Sequence, residues 1–123
     1  MHRSRLAGFI IDCAHADLPA AATFWSAALG MATKSPEGDV YVPLDAAARD
    51  VVIEVQRVDH ASRLHLDIES DDIDAEAARL EKLGAKRVAQ VQNWWVMEAP
   101  SGHRFCVVRG KNLESATGSN VWP

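Results

Sequence analysis

One pattern occurs twice in this chain, and the repetition constrains the architecture more than any other feature. The stretch "GFIIDCAHADLPAAATFWSAALGM" is an apolar, strand-like run, an Asp at position 17, a helical stretch and a closing "LGM". The stretch "LHLDIESDDIDAEAARLEKLGAK" repeats the order: a strand, an Asp at position 72, a helical stretch and "LGA". Asp72 follows Asp17 by 55 residues, and Gly84 follows Gly30 by 54. A period of that length is a whole supersecondary unit, so the chain should contain two copies of one small module. At 123 residues both copies fit in one domain, large enough to bury about two-thirds of its unfolded surface.

The helix in each copy is marked at both ends. In the first, Asp17 caps, Pro19 sits in the opening turn where its missing N–H costs little, and Gly30 takes the left-handed position after the last turn. Leu18, Ala21, Ala22, Trp25, Ala28 and Leu29 form an apolar stripe at helical spacing, with Trp25 read as core. In the second, Ser70 or Asp71 is the expected cap, the acidic first turn complements the helix dipole and Gly84 ends the helix. Ile73, Ala77, Leu80 and Leu83 make its stripe. The helices are expected over about 17–29 and 71–83.

Short strand candidates follow each helix. They are "MATKS", "DVYVPL" and "VVIEVQRV" in the first copy and "KRVAQV", "WWVMEA" and "RFCVVR" in the second, separated by turn-rich breaks such as "SPEGD" and "PSGH". Each copy therefore reads β-α-β-β-β, module one over about 6–58 and module two over about 63–109. The polar tail 110–123 is expected to be irregular.

Alternation along the strands sorts residues onto faces. In "SRLHLDIESDD", Leu64, Leu66 and Ile68 share the face expected to meet the helices, and His65 stands on the other with Arg63, Asp67 and Glu69. In "VVIEVQRV", Glu54 and Gln56 stand opposite Ile53 and Val55. Period 2 is equally compatible with a water-facing sheet, and a lone strand histidine is usually only polar surface. In "NWWVME" one of Trp94 and Trp95 must face each side, and parity does not say which.

Several function classes are excluded on other grounds. The net charge is -4 and the 13 basic residues are scattered, so a nucleic-acid partner is not expected. The longest apolar runs are strand-sized, so no membrane association is expected either. The opening "MHRSRLAGFIIDC" lacks an export signal's apolar stretch and cleavage site, which implies a cytoplasmic location. Cys13 and Cys106 make no disulfide framework or C-x-x-C motif and are expected as unpaired thiols, Cys106 as an inert buried one. His2, His15, His60 and His103 lie near the terminus or in loops and are read as solvated.

The twofold β-α-β-β-β arrangement resembles the vicinal oxygen chelate superfamily of glyoxalases, bleomycin-resistance proteins and extradiol dioxygenases, and its small glyoxalase-like branch most of all. The motifs carrying the resemblance are "DLPAAATFWSAALGM", "HLDIESDDIDAEAARLEKLGAKRV" and "APSGHRFCVV", within residues 6 to 109. It implies an α+β fold in which two tandem modules curl mixed sheets into cups with helices packed outside. It further implies a metal held by one residue from the first and one from the last strand of each module.

Carried onto this chain, that pattern points to Glu54, His65 and Cys106 as metal ligands. The fourth position falls on Gly8, or in the alternative register on Ile10, and neither can ligate. Three donors of mixed hardness suit zinc or nickel better than the two-His-one-carboxylate iron site, so extradiol cleavage is not expected. The expected divalent metal is bound weakly or not at all. Glu54 and His65 are the candidate catalytic bases, and Gln56, Trp94, Trp95 and Cys106 the candidate ligand-binding residues. The function expected from the resemblance is binding of a small organic molecule, with lyase or isomerase chemistry. The alternative is metal-free sequestration of a ligand, as in bleomycin resistance. A homodimer is expected because small cupped modules leave sheet edges uncovered.

Overall fold

The computed structural model describes residues 1–14 and 17–123; His15, read as a loop residue, lies outside them. Among the described residues the fold is α+β, with eight strands of mixed sheet and two α-helices. In chain order these are β1 (His2–Ala14), α1 (Leu18–Leu29), β2 (Tyr41–Leu44), a 3₁₀ turn (Ala47–Arg49), β3 (Val52–Val58), β4 (Arg63–Ser70), α2 (Ile73–Lys82), β5 (Lys86–Val91), β6 (Trp94–Glu98), β7 (Arg104–Arg109) and β8 (Asn120–Trp122). No helix among the described residues is long and apolar enough to cross a membrane.

The chain divides into two compact units, Gly8–His65 on one hand and Met1–Ala7 with Leu66–Pro123 on the other. In the first unit β3 pairs parallel with β1 and antiparallel with β2. In the second, β7 pairs parallel with β4 and antiparallel with β6, which pairs antiparallel with β5. Each unit thus carries the same crossover: the helix returns the chain so that the first and last strands of the module run side by side in parallel. Residues 31–35, expected as a strand, contribute one isolated bridge between Thr33 and Leu44.

The helix ends follow local chemistry. Asp17 accepts from Ala20 N–H, and Gly30 closes α1 at φ 68 with its N–H on Ser26 O. At α2 the cap is Asp72, whose side chain accepts from Ala75 N–H at 3.0 Å, and not Ser70 or Asp71. Those two are committed to β1: the Ser70 hydroxyl donates to Arg3 O at 2.8 Å, and Asp71 accepts from Arg3 N–H at 2.8 Å.

Each unit has its own core. Leu18, Ala22, Met31, Val42, Leu44 and Val55 pack together in the first, with Trp25 and Ile53 against them. Ile73, Ala77, Leu80, Met97 and Val107 do so in the second, with Ile68, Trp95 and Phe105 against them. Among the expected core positions, Leu29, Leu64, Leu66 and Leu83 are exposed instead. α1 packs on β2 and β3, and α2 on β5, β6 and β7, so the apolar row of β4 is covered only as far as Ile68. Alternation identifies a strand's two faces but not whether a helix lies over one of them.

The tail departs furthest from expectation. β8 pairs antiparallel with the start of β1, Leu113 is buried, and Trp122 lies over the Arg79 guanidinium at 3.9 Å while its indole N–H donates to the Ser4 hydroxyl. His2, read as solvated, is also buried and bonds Glu76 through Nε2 at 2.8 Å. Glu76, 0% exposed, accepts two bonds from Arg79 at 2.8 Å. Burial pushes its pKa up, but hydrogen bonds from Arg79, His2 and Ser4 and the charge of Arg79 outweigh that and hold it at about 2.

Candidate functional site

The side of β3 facing away from α1 carries Glu54 and Gln56, and parallel register places Ile10 beside Glu54 and Asp12 beside Gln56. Gln56 Nε2 donates to the Tyr41 hydroxyl at 3.1 Å. Asp12 is 2% exposed in the interior of a thirteen-residue strand. A carboxylate so buried needs partners. His65, from the start of β4, is one of them: its Nδ1 lies 2.8 Å from Asp12 Oδ2. Arg63 Nε stands 3.8 Å and His60 Nε2 4.0 Å from the same oxygen, while Asp12 Oδ1 is buried with no hydrogen-bond partner among the described residues.

This pairing fixes the chemistry of the imidazole. An ionised carboxylate only accepts, so Nδ1 carries the proton and His65 acts on anything else through Nε2. The carboxylate also holds the ring's orientation and stabilises the imidazolium formed when Nε2 takes a proton. Asp12 is absent from the sequence-derived set, although it shares its side of β1 with Gly8 and Ile10. An acid within an apolar strand, on the same face as Gly8 and Ile10, is the signal that marks it.

Gly8 cannot supply what the superfamily places at the module's opening position. It pairs with Val52, and a Cβ built on it would lie 1.9 Å from Val52 O. The backbone there excludes any side chain, so the superfamily's four-ligand set does not fit this chain.

A different donor set is arranged along β4 and β7. His65 and Asp67 are two residues apart on one side of β4, and Asp67 is the direct cross-strand neighbour of Cys106, with a carboxylate oxygen and Sγ within 4.8 Å. Imidazole, carboxylate and thiolate together are a donor set zinc accepts, and an imidazole anchored by a second carboxylate is a common outer-shell arrangement. Glu54 is not a member of that group of three.

β6 resolves the tryptophan pair. Trp95 packs against the α2 core, donates to Asp74 Oδ1 at 2.8 Å and lies under the Arg87 guanidinium at 4.7 Å. Of the two tryptophans, Trp95 is thus the one on the α2 side of the sheet. Trp94 consequently faces the other way, on the side of Val96, which is cross-strand from Cys106. Both cysteines are free thiols; Cys13 packs against the α1 core, where burial first and the Asp12 charge second raise its pKa.

The family described as "Glyoxalase-like domain" matches residues 8–108. No curated protein matches the chain. Among solved structures, methylmalonyl-CoA epimerase from Mycobacterium tuberculosis superposes with a TM-score of 0.66 at 17% identity, over 90% of this chain and 91% of that one. A glyoxalase/bleomycin resistance protein/dioxygenase superfamily member from Vibrio splendidus 12B01 gives 0.56 at 17% identity, over 85% and 97%. An extradiol ring-cleaving dioxygenase from B. fuscum gives 0.57 at 16% identity, covering 85% of this chain but 32% of the enzyme. At these identities the likeness is one of fold.

Proposed function

This chain belongs to the glyoxalase-like domain family, and we propose that it binds a small organic molecule at its polar sheet face and acts on it as a lyase or isomerase, with His65 as the base. The observation carrying this reading is the 2.8 Å pairing of His65 Nδ1 with the buried Asp12 carboxylate. It gives one imidazole a fixed tautomer and a stabilised protonated form, which is what abstraction of a proton beside a carbonyl requires. Gln56 beside Asp12 supplies a polar contact for the bound molecule.

A metal in this reading adds Lewis-acid polarisation of the substrate oxygen when bound. His65, Asp67 and Cys106 are the residues that would hold zinc or nickel, weakly. We further propose that the chain works as a homodimer; sedimentation at micromolar concentration should show a species of twice 13.4 kDa. The second reading, metal-free sequestration of a ligand, is favoured by the closed backbone at Gly8.

The test is hydrogen exchange in deuterium oxide. The protein is incubated with a panel of 2-oxo acids, hemithioacetals and acyl thioesters, and loss of each α-proton signal is followed by NMR. The expected result is exchange of at least one compound by the native chain, lost in His65→Ala and Asp12→Asn variants that keep their fold. Binding without exchange would favour sequestration, and exchange unaffected by either substitution would refute His65 as the base.

A further inference from the structure

We infer that the chain has a second small-molecule site, on the α1 side of its first unit, which takes an organic carboxylate with an apolar body. A cleft of about 570 Å³ opens there between α1 and strands β1, β3 and the start of β4. Trp25, Leu29, Ile53 and Leu64 line it, on the side of the sheet opposite Glu54 and Gln56. Its volume lies within the range of ligand pockets, and its lining is mostly apolar and aromatic. Leu29 is 41% and Leu64 55% exposed, so the apolar surface is uncovered in the single chain.

Polar groups reach the cleft at one end, and their chemistry selects the ligand. Ser62 and Arg63 line it together with Asp12. The Ser62 oxygen accepts from Ala14 N–H at 2.9 Å, which leaves its hydroxyl proton to be donated. The Arg63 guanidinium is held in place rather than loose. His60 gives its Nδ1 proton to Ala61 O, so its Nε2 accepts from Arg63 Nη2 at 3.3 Å. Nε faces Asp12 Oδ2 at 3.8 Å, and Nη1 takes part in neither contact. A hydroxyl and a positioned guanidinium at the end of an apolar cleft match a carboxylate, whose oxygens accept from both. The Asp12 charge is already faced by Arg63 and bonded to His65, so the exposed donors are what a ligand meets.

The probes are 3-phenylpropionate and its uncharged counterpart 3-phenylpropan-1-ol, titrated into the full chain and followed by amide and indole NMR shifts. The expected result is saturable shifts at the Trp25 indole N–H and the Leu64 amide, with the acid bound about tenfold more tightly than the alcohol. Arg63→Gln should bring the acid to the affinity of the alcohol and leave the alcohol unchanged, while Arg63→Lys retains a preference for the acid. Gln56→Ala, on the opposite side of the sheet, should leave both affinities within about twofold, which separates this site from the polar sheet face. Equal affinity for acid and alcohol, or no shift at Trp25 and Leu64, would overturn the inference. So would shifts at those residues that follow protein concentration without any probe, because a second copy would then cover the cleft.

Discussion

His65 Nδ1 lies 2.8 Å from Asp12 Oδ2, and the Asp12 side chain is 1% exposed. The neutral ring should therefore be the Nδ1–H tautomer, the minority form of free histidine in water. Long-range proton–nitrogen correlation spectra of the native chain should show it. Asp12→Asn replaces a pure acceptor with an amide that can donate through its nitrogen, so the tautomer should become mixed or invert. Observation of the Nε2–H form in the native protein would remove His65 as a positioned base.

Gly8 marks the second expectation. A Cβ there would sit 1.9 Å from Val52 O, and both partners are backbone, so strain cannot be relieved by a rotamer change. Gly8→Ala should cost at least about 2 kcal/mol in urea unfolding. Gly110→Ala is a milder contrast, because its Cβ would meet Glu69 Cβ at 3.0 Å, a contact that a shift of a few tenths of an ångström relieves. A Gly8→His variant should be poorly folded rather than gain metal. Equal stability of Gly8→Ala and the native chain would show that β1 and β3 can separate at this point.

The two modules were legible in the sequence because their signals are local. Asp17 and Gly30 bound the first helix through their own backbone and side-chain geometry, and the second copy repeats the same spacing. His65 was legible as a polar residue on a strand face. Asp12 was not, since its importance lies in a partner 53 residues away in sequence. Leu64 and Leu66 misled for a related reason: an apolar row signals a covered face, and whether a helix lies over it is decided by packing elsewhere. The tail at Val121 and Trp122 was too short to show strand alternation, and it is ordered by Ser4 and Arg79 rather than by its own pattern.

Glu76 predicts the acid limb of stability. Its folded pKa of about 2 lies below the ordinary 4.5, so ionised Glu76 binds fewer protons in the folded chain than in the unfolded one. Its contribution is complete above pH 4.5 and is lost as the pH falls from there toward 2. Glu76→Gln leaves the Arg79 guanidinium and His2 without their anion and should cost about 3 kcal/mol at neutral pH. The unfolding free energy of the variant should also lose slope in that window. An unchanged slope would mean that the His2–Glu76–Arg79 cluster is not what acid dismantles.

Metal binding separates the donor set read from the sequence from the one built on β4 and β7. Protein purified without chelator or affinity resin should carry well under one equivalent of zinc or nickel by elemental analysis. Gly8 offers no donor, and the fixed neighbours supply at most an imidazole, a carboxylate and a thiolate. Zinc titrated at neutral pH against a competing chromophoric chelator should still reveal weak uptake. Cys106→Ser and Asp67→Asn should each weaken it by about tenfold or more, since each removes a ligand. Asp12→Asn should also weaken it, on the order of tenfold, because the imidazole loses the carboxylate that orients it. Glu54→Gln should leave it unchanged. If Glu54→Gln abolished uptake while Asp67→Asn did not, the superfamily's ligand positions would govern this chain after all, and the cross-strand neighbours Asp67 and Cys106 would be bystanders.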